Sequence, residues 1–168
     1  VSFVDSQTGW VVGATGTIRY TNDGGATWTA QTSGSLAFNG VAAFDGGRAE
    51  AVGTSGVLVR TANSGYTWLS QSTGTTIRLR GTSFVNSMLG WAVGDSGQIM
   101  QTVDGGDMWV RSSSGTGIWM ATAFADAQTG WIVGAAGSIR KTTDGGLTWA
   151  TQSSGTAQSL NSVFAVSP

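Results

Sequence analysis

Four copies of a polar turn segment carry the residues of this chain that could do chemistry. The segment reads Thr-x-Asp-Gly-Gly-x-Thr-Trp, and its four tryptophans are 40, 41 and 40 residues apart. A carboxylate beside two glycines could hold Ca²⁺, but that ion takes six to eight oxygen ligands and each segment offers one Asp at the motif position. We therefore expect a structural turn, in which the Asp accepts backbone N–H groups and the Trp covers the hairpin. The turn residues are Asp23, Gly24, Gly25, Trp28, Asn63, Gly65, Trp68, Asp104, Gly105, Gly106, Trp109, Asp144, Gly145, Gly146 and Trp149.

The second copy of this turn departs from the pattern. Asn63 stands in place of Asp, and Ser64 stands in place of the first glycine. Asn keeps the acceptor oxygen while it loses the charge, so we expect the same local fold there. We also expect the tryptophans of all four turns to be mostly buried.

A second glycine pattern, Gly-x-x-Gly, follows the apolar run of every copy. It occurs at 13–16, 53–56, 94–97 and 134–137. Such a loop could clamp a nucleotide, but four copies between strands, without a basic cluster or a following helix, favour hairpin turns. In this interpretation the flanking glycines supply the positive φ that tight hairpins need.

The residue inventory excludes several classes of activity. The chain has no His and no Cys, which rules out His-based triads, thiol enzymes and zinc fingers. Eight basic and nine acidic residues give a net charge of −1, too little positive charge for a nucleic-acid partner. Its apolar runs are far shorter than the roughly 20 residues of a transmembrane helix. We predict no catalytic residue, no cofactor and no metal site.

The repeat predicts the architecture that positions these turns. Five phenylalanines, from Phe3 to Phe164, are 41, 40, 40 and 40 residues apart. Within one domain over 1–168, the repeats span 1–40, 41–80, 81–120 and 121–160. Each holds four strands, near 41–45, 49–54, 56–61 and 67–72 in the second repeat. Because the period of about 40 residues suits radially packed four-stranded sheets, we expect an all-β fold of β-propeller blades.

The apolar runs before each Gly-x-x-Gly indicate strands covered on both faces, as stacked blades require. These runs begin at Trp10, Trp91 and Trp131, whereas the second repeat has Ala51 at the position that we align with them. We expect that blade to have a looser or more polar flank. Trp119 and Met120 are expected to pack in the core.

Residues 161–168 are predicted to be the first strand of a further repeat or a strand that closes the ring. The four blades are then part of a larger propeller, or they complete a ring within one chain or between two.

These turns resemble the Asp-box, or BNR, repeat, and the first repeat is similar to the photosystem II stability/assembly factor family of propellers. The resemblance covers essentially the whole chain. Members with this repeat include assembly factors of the thylakoid lumen or periplasm, secreted bacterial proteins, sialidases, xyloglucan-cleaving enzymes and sorting receptors. The resemblance implies that the Asp box is a peripheral folding element and that the protein acts outside the cytoplasm.

The same resemblance implies a non-catalytic scaffold that binds a protein partner through an arginine-rich surface. One alternative is a structural or surface subunit that self-associates through open blades. Another is a sialidase- or glycosidase-like enzyme that acts on carbohydrate. Such enzymes need carboxyl groups as acid and as nucleophile or base, and this chain has a single glutamate. The candidate partner-binding residues, which could also be ordinary solvated charges, are Arg19, Arg60, Arg78, Arg80, Arg140 and Lys141.

Overall fold

The structure, a computed structural model, describes residues 1–113 and 116–166, without the side chain of Ser113. Over these residues the chain forms short strands joined by tight turns, and the only helical segments are two 3₁₀ turns at Thr54–Gly56 and Ala135–Gly137. The strands are β1 (Ser2–Phe3), β2 (Gly9–Val12), β3 (Ile18–Thr21), β4 (Thr29–Gln31), β5 (Phe38–Asp45), β6 (Arg48–Gly53), β7 (Leu58–Thr61), β8 (Leu69–Ser70), β9 (Leu79–Phe84), β10 (Gly90–Gly94), β11 (Gln98–Thr102), β12 (Val110–Ser113), β13 (Trp119–Phe124), β14 (Gly130–Gly134), β15 (Ile139–Thr142) and β16 (Ala150–Gln152).

The strands form four antiparallel sheets of four strands each, in chain order. We call them blade 1 (β1–β4), blade 2 (β5–β8), blade 3 (β9–β12) and blade 4 (β13–β16). The first strands of blades 2, 3 and 4 lie next to one another at the inner edge of the stack. This confirms the predicted all-β fold of four-stranded propeller blades with almost no helix.

The Gly-x-x-Gly segments are hairpin turns, as predicted, but their two glycines have different roles. In blade 1, Thr17 N donates to Ala14 O at 3.0 Å across Thr15 and Gly16, whose φ angles are 52° and 72°. Two consecutive positive φ angles are typical of a type I′ turn. Contrary to our expectation, the first glycine, Gly13, does not supply a positive φ. Thr15, the residue just before the second glycine, takes that conformation instead.

Close packing requires the first glycine in the turns of blades 2, 3 and 4, whereas a Cβ atom on Gly13 of blade 1 would make an ordinary contact with Thr17 Cβ at 3.8 Å. A Cβ atom on Gly53 would lie 2.0 Å from Ala37 O, and one on Gly94 would lie 2.1 Å from Arg78 O. The chain entering the first strand of the blade therefore approaches the second strand more closely than a side chain permits.

Apolar side chains from neighbouring blades fill the spaces between the sheets. Trp10 of blade 1 packs in one cluster with Phe38, Val41 and Val59 of blade 2. Trp119 of blade 4 is 2% exposed and packs against Val93 and Ile99 of blade 3, which is the core role expected for it, whereas Met120 is half-buried. The blades are thus held by face-to-face burial of apolar surface.

The strand register corrects our alignment of the second repeat. Trp10 pairs with Tyr20 and Trp131 pairs with Lys141, while the matching pair in blade 2 is Glu50 and Arg60. Glu50, and not Ala51, therefore stands where the other blades have Trp. The sequence alone did not reveal this equivalence. Ala51 begins the apolar run of the second repeat, and the charged Glu50 looked like a residue at the edge of the strand.

One face of each terminal blade remains partly open. Phe3 and Trp28 of blade 1 are 42% and 37% exposed. After blade 4, Leu160 N donates to Gly134 O at 3.0 Å, the same bond that Phe38 N makes to Gly13 O at 3.0 Å. Residues 161–166 follow this contact without joining any strand. Their assignment to a further repeat stays a prediction, and residues 167 and 168 lie outside the described part of the chain.

Candidate partner-binding site

The Asp boxes are compact hydrogen-bonded turns. In blade 1, Asp23 accepts Thr27 N at 2.9 Å, Thr27 Oγ1 at 2.6 Å and Thr21 Oγ1 at 2.7 Å, while Thr21 Oγ1 accepts Gly25 N at 2.9 Å. The hydrogen bonds from Thr27, above all from its hydroxyl, lower the pKa of Asp23 to about 2. Thr148 does the same for Asp144, whose pKa is also lowered to about 2. These carboxylates are ionised acceptors bound to their own turn.

The second box keeps the same set of hydrogen bonds, and the third box lacks one of them. Asn63 Oδ1 accepts Thr67 N at 2.9 Å, and its amide donates to Thr67 Oγ1 at 2.9 Å. In blade 3, Asp104 accepts Met108 N at 2.9 Å, which lowers its pKa, but Met108 offers no hydroxyl. The Asn substitution thus preserves the local fold, and the turn tolerates one missing hydroxyl.

The tryptophans of the Asp boxes are less buried than expected. Trp28 is 37% exposed, and Trp68, Trp109 and Trp149 are half-buried. Trp149 meets the edge of Phe124 with ring centroids 6.0 Å apart and an interplanar angle of 86°. Each box tryptophan covers the rim of its blade, where one side of the ring meets solvent. The deeply buried tryptophans are Trp10, Trp91 and Trp119.

The Asp-box turns also bind the preceding blade, which the sequence did not indicate. Gln31 Nε2 of blade 1 donates to Ser64 O of blade 2 at 2.7 Å. Arg60 Nη1 of blade 2 donates to Gly105 O, and Trp91 Nε1 of blade 3 donates to Gly145 O at 3.1 Å. The acceptor is always the carbonyl that follows the motif Asp or Asn. We call this contact the inter-blade latch.

The structure distributes the six candidate partner-binding residues over all four blades. Arg60 binds Gly105 O and Asp107, and Arg80 forms an ion pair with Asp95. The Arg140 guanidinium lies 5.5 Å from the Trp119 ring centroid, and the Lys141 amine lies 5.1 Å from that of Trp131. Arg19 and Arg78 are exposed.

Arg78 and Arg80 are close together at the start of one strand. Arg78 directly precedes β9, and Arg80 is its second residue. Their partner turn, Gly94 to Gly97, is tied to the same place because Asp95 N donates to Arg78 O at 3.0 Å. We call Arg78, Arg80 and this turn the arginine edge.

A cleft of about 510 Å³ lies between blades 1 and 2, and the sequence did not single it out. Tyr20, Gln31 and Tyr66 line it, and Tyr66 is 89% exposed. Exposed tyrosines are typical of protein interfaces, where a large ring and a hydroxyl are both useful. Tyr66 could have pointed to this cleft, because it places an aromatic ring at the variable position of the box, where the other copies have Ala26, Asp107 and Leu147.

The only glutamate is sealed between blades 2 and 3. Glu50 is fully buried, Thr82 Oγ1 lies 3.2 Å from its Oε1, and its Oε2 has no hydrogen-bond partner among the described residues. Burial raises the pKa of Glu50 well above its usual value, although the Thr82 hydrogen bond and the Arg60 charge oppose this. A neutral carboxyl group in the blade stack is the form that this environment favours.

Over 1–113 and 116–166, no group of three or more His, Cys, Asp or Glu residues is arranged to hold a metal ion. Within the same ranges, no helix has the length and apolar character needed to cross a membrane.

Comparison with known proteins relates the first part of the chain to one protein family. Residues 1–73 match the family model described as "Photosynthesis system II assembly factor YCF48". No curated protein matches the sequence. Over these residues, the match confirms the resemblance to photosystem II assembly factor-like propellers that the motifs indicated.

Solved structures support the same fold. A structure described as "YCF48 bound to D1 peptide" is 18% identical, with a TM-score of 0.59 over 90% of this chain and 80% of that chain. The GH74 enzyme of Niastella koreensis is 26% identical, with a TM-score of 0.67 over 89% of this chain and 23% of the enzyme. An ancestral GH74 enzyme is 18% identical, with a TM-score of 0.68 over 87% and 22%. This chain spans under a quarter of either enzyme.

Proposed function

We propose that this chain is a non-catalytic β-propeller scaffold that binds a protein partner outside the cytoplasm, in the manner of photosystem II assembly factors. The family match over residues 1–73 supports this proposal. So does the likeness to a propeller described as bound to D1 peptide, which suggests a segment of polypeptide as the ligand.

The observation that carries the proposal is the use of every carboxylate in holding the fold. The aspartates accept turn N–H groups or pair with arginine, as described for Asp23, Asp95, Asp104, Asp107 and Asp144. Asp5, Asp45 and Asp126 each accept two backbone N–H groups of their own turn. Glu50 is buried. General acid–base chemistry needs a group whose pKa lies near the working pH. The resolved pKa shifts of the aspartates are all downward, and Glu50, whose pKa is raised, is buried.

The arginine edge is the proposed contact for the partner. Arg78 is exposed, and the fork of a guanidinium can bind carboxylates and carbonyl groups of a peptide. Arg80 is held in place by Asp95, so it loses little side-chain freedom on binding. A rigid inner strand carries both residues, which is the arrangement that a specific docking surface requires.

Titration of the chain with a D1 peptide by isothermal calorimetry tests the proposal. We expect saturable binding, and we expect Arg78→Ala/Arg80→Ala to weaken it at least tenfold, about 1.4 kcal/mol. Arg111→Ala is the matched control, because Arg111 is an exposed arginine on the outer strand β12. Absence of binding, or equal weakening by the control, would contradict the proposal.

The carbohydrate-active alternative is favoured by one observation, the likeness to the GH74 enzyme of Niastella koreensis. Glycoside hydrolysis uses two carboxyl groups about 5 to 9.5 Å apart around the scissile bond. One member of such a pair acts as the acid and needs a raised pKa; the carboxyl group with a raised pKa here, that of Glu50, is fully buried, and the aspartates are bound to their own turns or to arginine. Release of reducing sugar from xyloglucan by the wild-type chain would reverse this conclusion.

A further inference from the structure

The cleft between blades 1 and 2 contains both tyrosines of the chain. Tyr20 lies on β3 of blade 1, and Tyr66 lies in the Asp box of blade 2. The Tyr20 ring is half-buried and packs against Trp10, with ring centroids 5.0 Å apart and an interplanar angle of 47°. Tyr66 is 89% exposed. One ring is therefore fixed by packing against the core, while the other is open to solvent.

Gln31 joins the two blades within this cleft. Its Nε2 donates to Ser64 O at 2.7 Å, and its Oε1 accepts Trp68 Nε1 at 3.1 Å. A Cβ atom on Gly65 would lie 1.9 Å from the same Oε1, so the Asp box closes tightly on this side chain. These contacts hold the two walls in a fixed relation. A preformed cleft of about 510 Å³ falls within the size range of small-molecule sites.

The lining of this cleft is polar and uncharged. Among the described residues that form it, none is acidic or basic, and Ala30 has the only aliphatic side chain. Asn22, Thr29 and Thr32 are exposed, so their amide and hydroxyl groups are open to a ligand. An amide and a hydroxyl can each donate and accept hydrogen bonds. The cleft therefore combines aromatic rings with neutral hydrogen-bonding groups.

The equivalent place between blades 3 and 4 shows that the fold does not require this lining. In the strand register, Tyr20 pairs with Thr29 as Gln101 pairs with Val110. The box position of Tyr66 is occupied there by Leu147, which is 82% exposed. Because one position accepts such different side chains, the rings and the amide belong to this cleft and not to the repeat.

We propose that this cleft binds a neutral oligosaccharide without cleaving it. The C–H face of a pyranose ring is apolar and packs on an aromatic ring, while its hydroxyl groups need hydrogen-bond donors and acceptors. Tyr66 supplies an open ring, and Asn22 and Thr29 supply the polar groups. A polypeptide would need apolar anchor pockets, and an anionic ligand would need a basic partner. The lining of this cleft offers neither.

Isothermal calorimetry of the 168-residue chain with cellohexaose tests the proposal. This glucan is a suitable probe because its equatorial substituents leave the C–H faces of each ring open. We expect saturable binding and an intact probe. Tyr66→Ala should weaken binding at least tenfold, because the stacking ring is lost, whereas Tyr66→Phe should stay within about threefold. Leu147→Ala, the matched control at the equivalent exposed position of blade 4, should bind as the wild-type chain does.

Two results would overturn the proposal: no binding of cellohexaose at millimolar concentration, and equal binding by Tyr66→Ala and the wild-type chain. Loss of D1-peptide binding in Tyr66→Ala, without any binding of cellohexaose, would assign the cleft to a polypeptide and overturn it as well. The arginine edge belongs to blade 3, so Arg78→Ala/Arg80→Ala should bind cellohexaose normally. Failure of the saccharide site and failure of the partner site thus give different results.

Discussion

At the scale of single residues, the four Asp boxes place different side chains at the same positions of one turn. Thr27 and Thr148 each donate two hydrogen bonds to the motif carboxylate, whereas Met108 donates only its backbone N–H. The hydroxyl is the first cause of the low pKa in the two complete boxes. The third box therefore lacks one stabilising contact that its neighbours have.

Met108→Thr should stabilise the chain, because Met108 is 70% exposed and loses little packing while the new hydroxyl can bond Asp104. We expect the midpoint of thermal unfolding to rise by a few degrees. Leu147→Thr is the control, since it places a hydroxyl one position too early in a complete box. A midpoint unchanged or lowered by Met108→Thr would show that the hydroxyl contributes nothing here.

Glu50 should make the free energy of unfolding depend on pH, at pH values above the ordinary pKa of a glutamate. Because burial raises the folded pKa, the folded chain favours the neutral carboxyl group, so the free energy of unfolding falls as pH rises from the ordinary glutamate value of 4.5 towards the raised pKa of the folded chain. Glu50→Gln keeps the shape and removes the titration, so it should flatten this slope in urea unfolding. Identical slopes in both proteins would show that Glu50 does not titrate in this interval.

At the scale of elements, the features that depend on local sequence patterns could be predicted. Repeat spacing and paired glycines were enough to place four strands in each blade and the hairpin at Gly53–Gly56. The position of Glu50 was misjudged by one residue, because an apolar run does not reveal its register until the partner strand is known. The arginine edge was seen only as two separate arginines, since its turn comes from another hairpin.

Gly94→Ala should destabilise the fold. A Cβ there would lie 2.1 Å from Arg78 O, so the inner strand and the arginine edge must move apart. We expect a loss of about 1 to 3 kcal/mol in urea unfolding, as in overpacked cores. Gly46→Ala, where a Cβ meets nothing within 4 Å, should change stability by less than about 0.5 kcal/mol. Equal effects would mean that this close approach is not required.

At the scale of the whole molecule, the blades are rigid supports that place loops and edges for binding. Aromatic stacking and the inter-blade latch fix each blade on its predecessor, and the carboxylates are used in that construction. No sequence pattern could supply the relation between blades, because the latch donors Gln31, Arg60 and Trp91 lie on three different strands of their blades and differ in residue type. Only the accepting carbonyl has the same position in each box.

Hydrogen–deuterium exchange with and without a saturating D1 peptide tests the central claim, that this scaffold binds a protein segment at the arginine edge. The account predicts slower exchange at the start of β9 and in the turn from Gly94 to Gly97, with the outer strands β8 and β12 unchanged. The same pattern should be absent in Arg78→Ala/Arg80→Ala. Protection confined to the Asp boxes, or no protection at any amide, would contradict the claim.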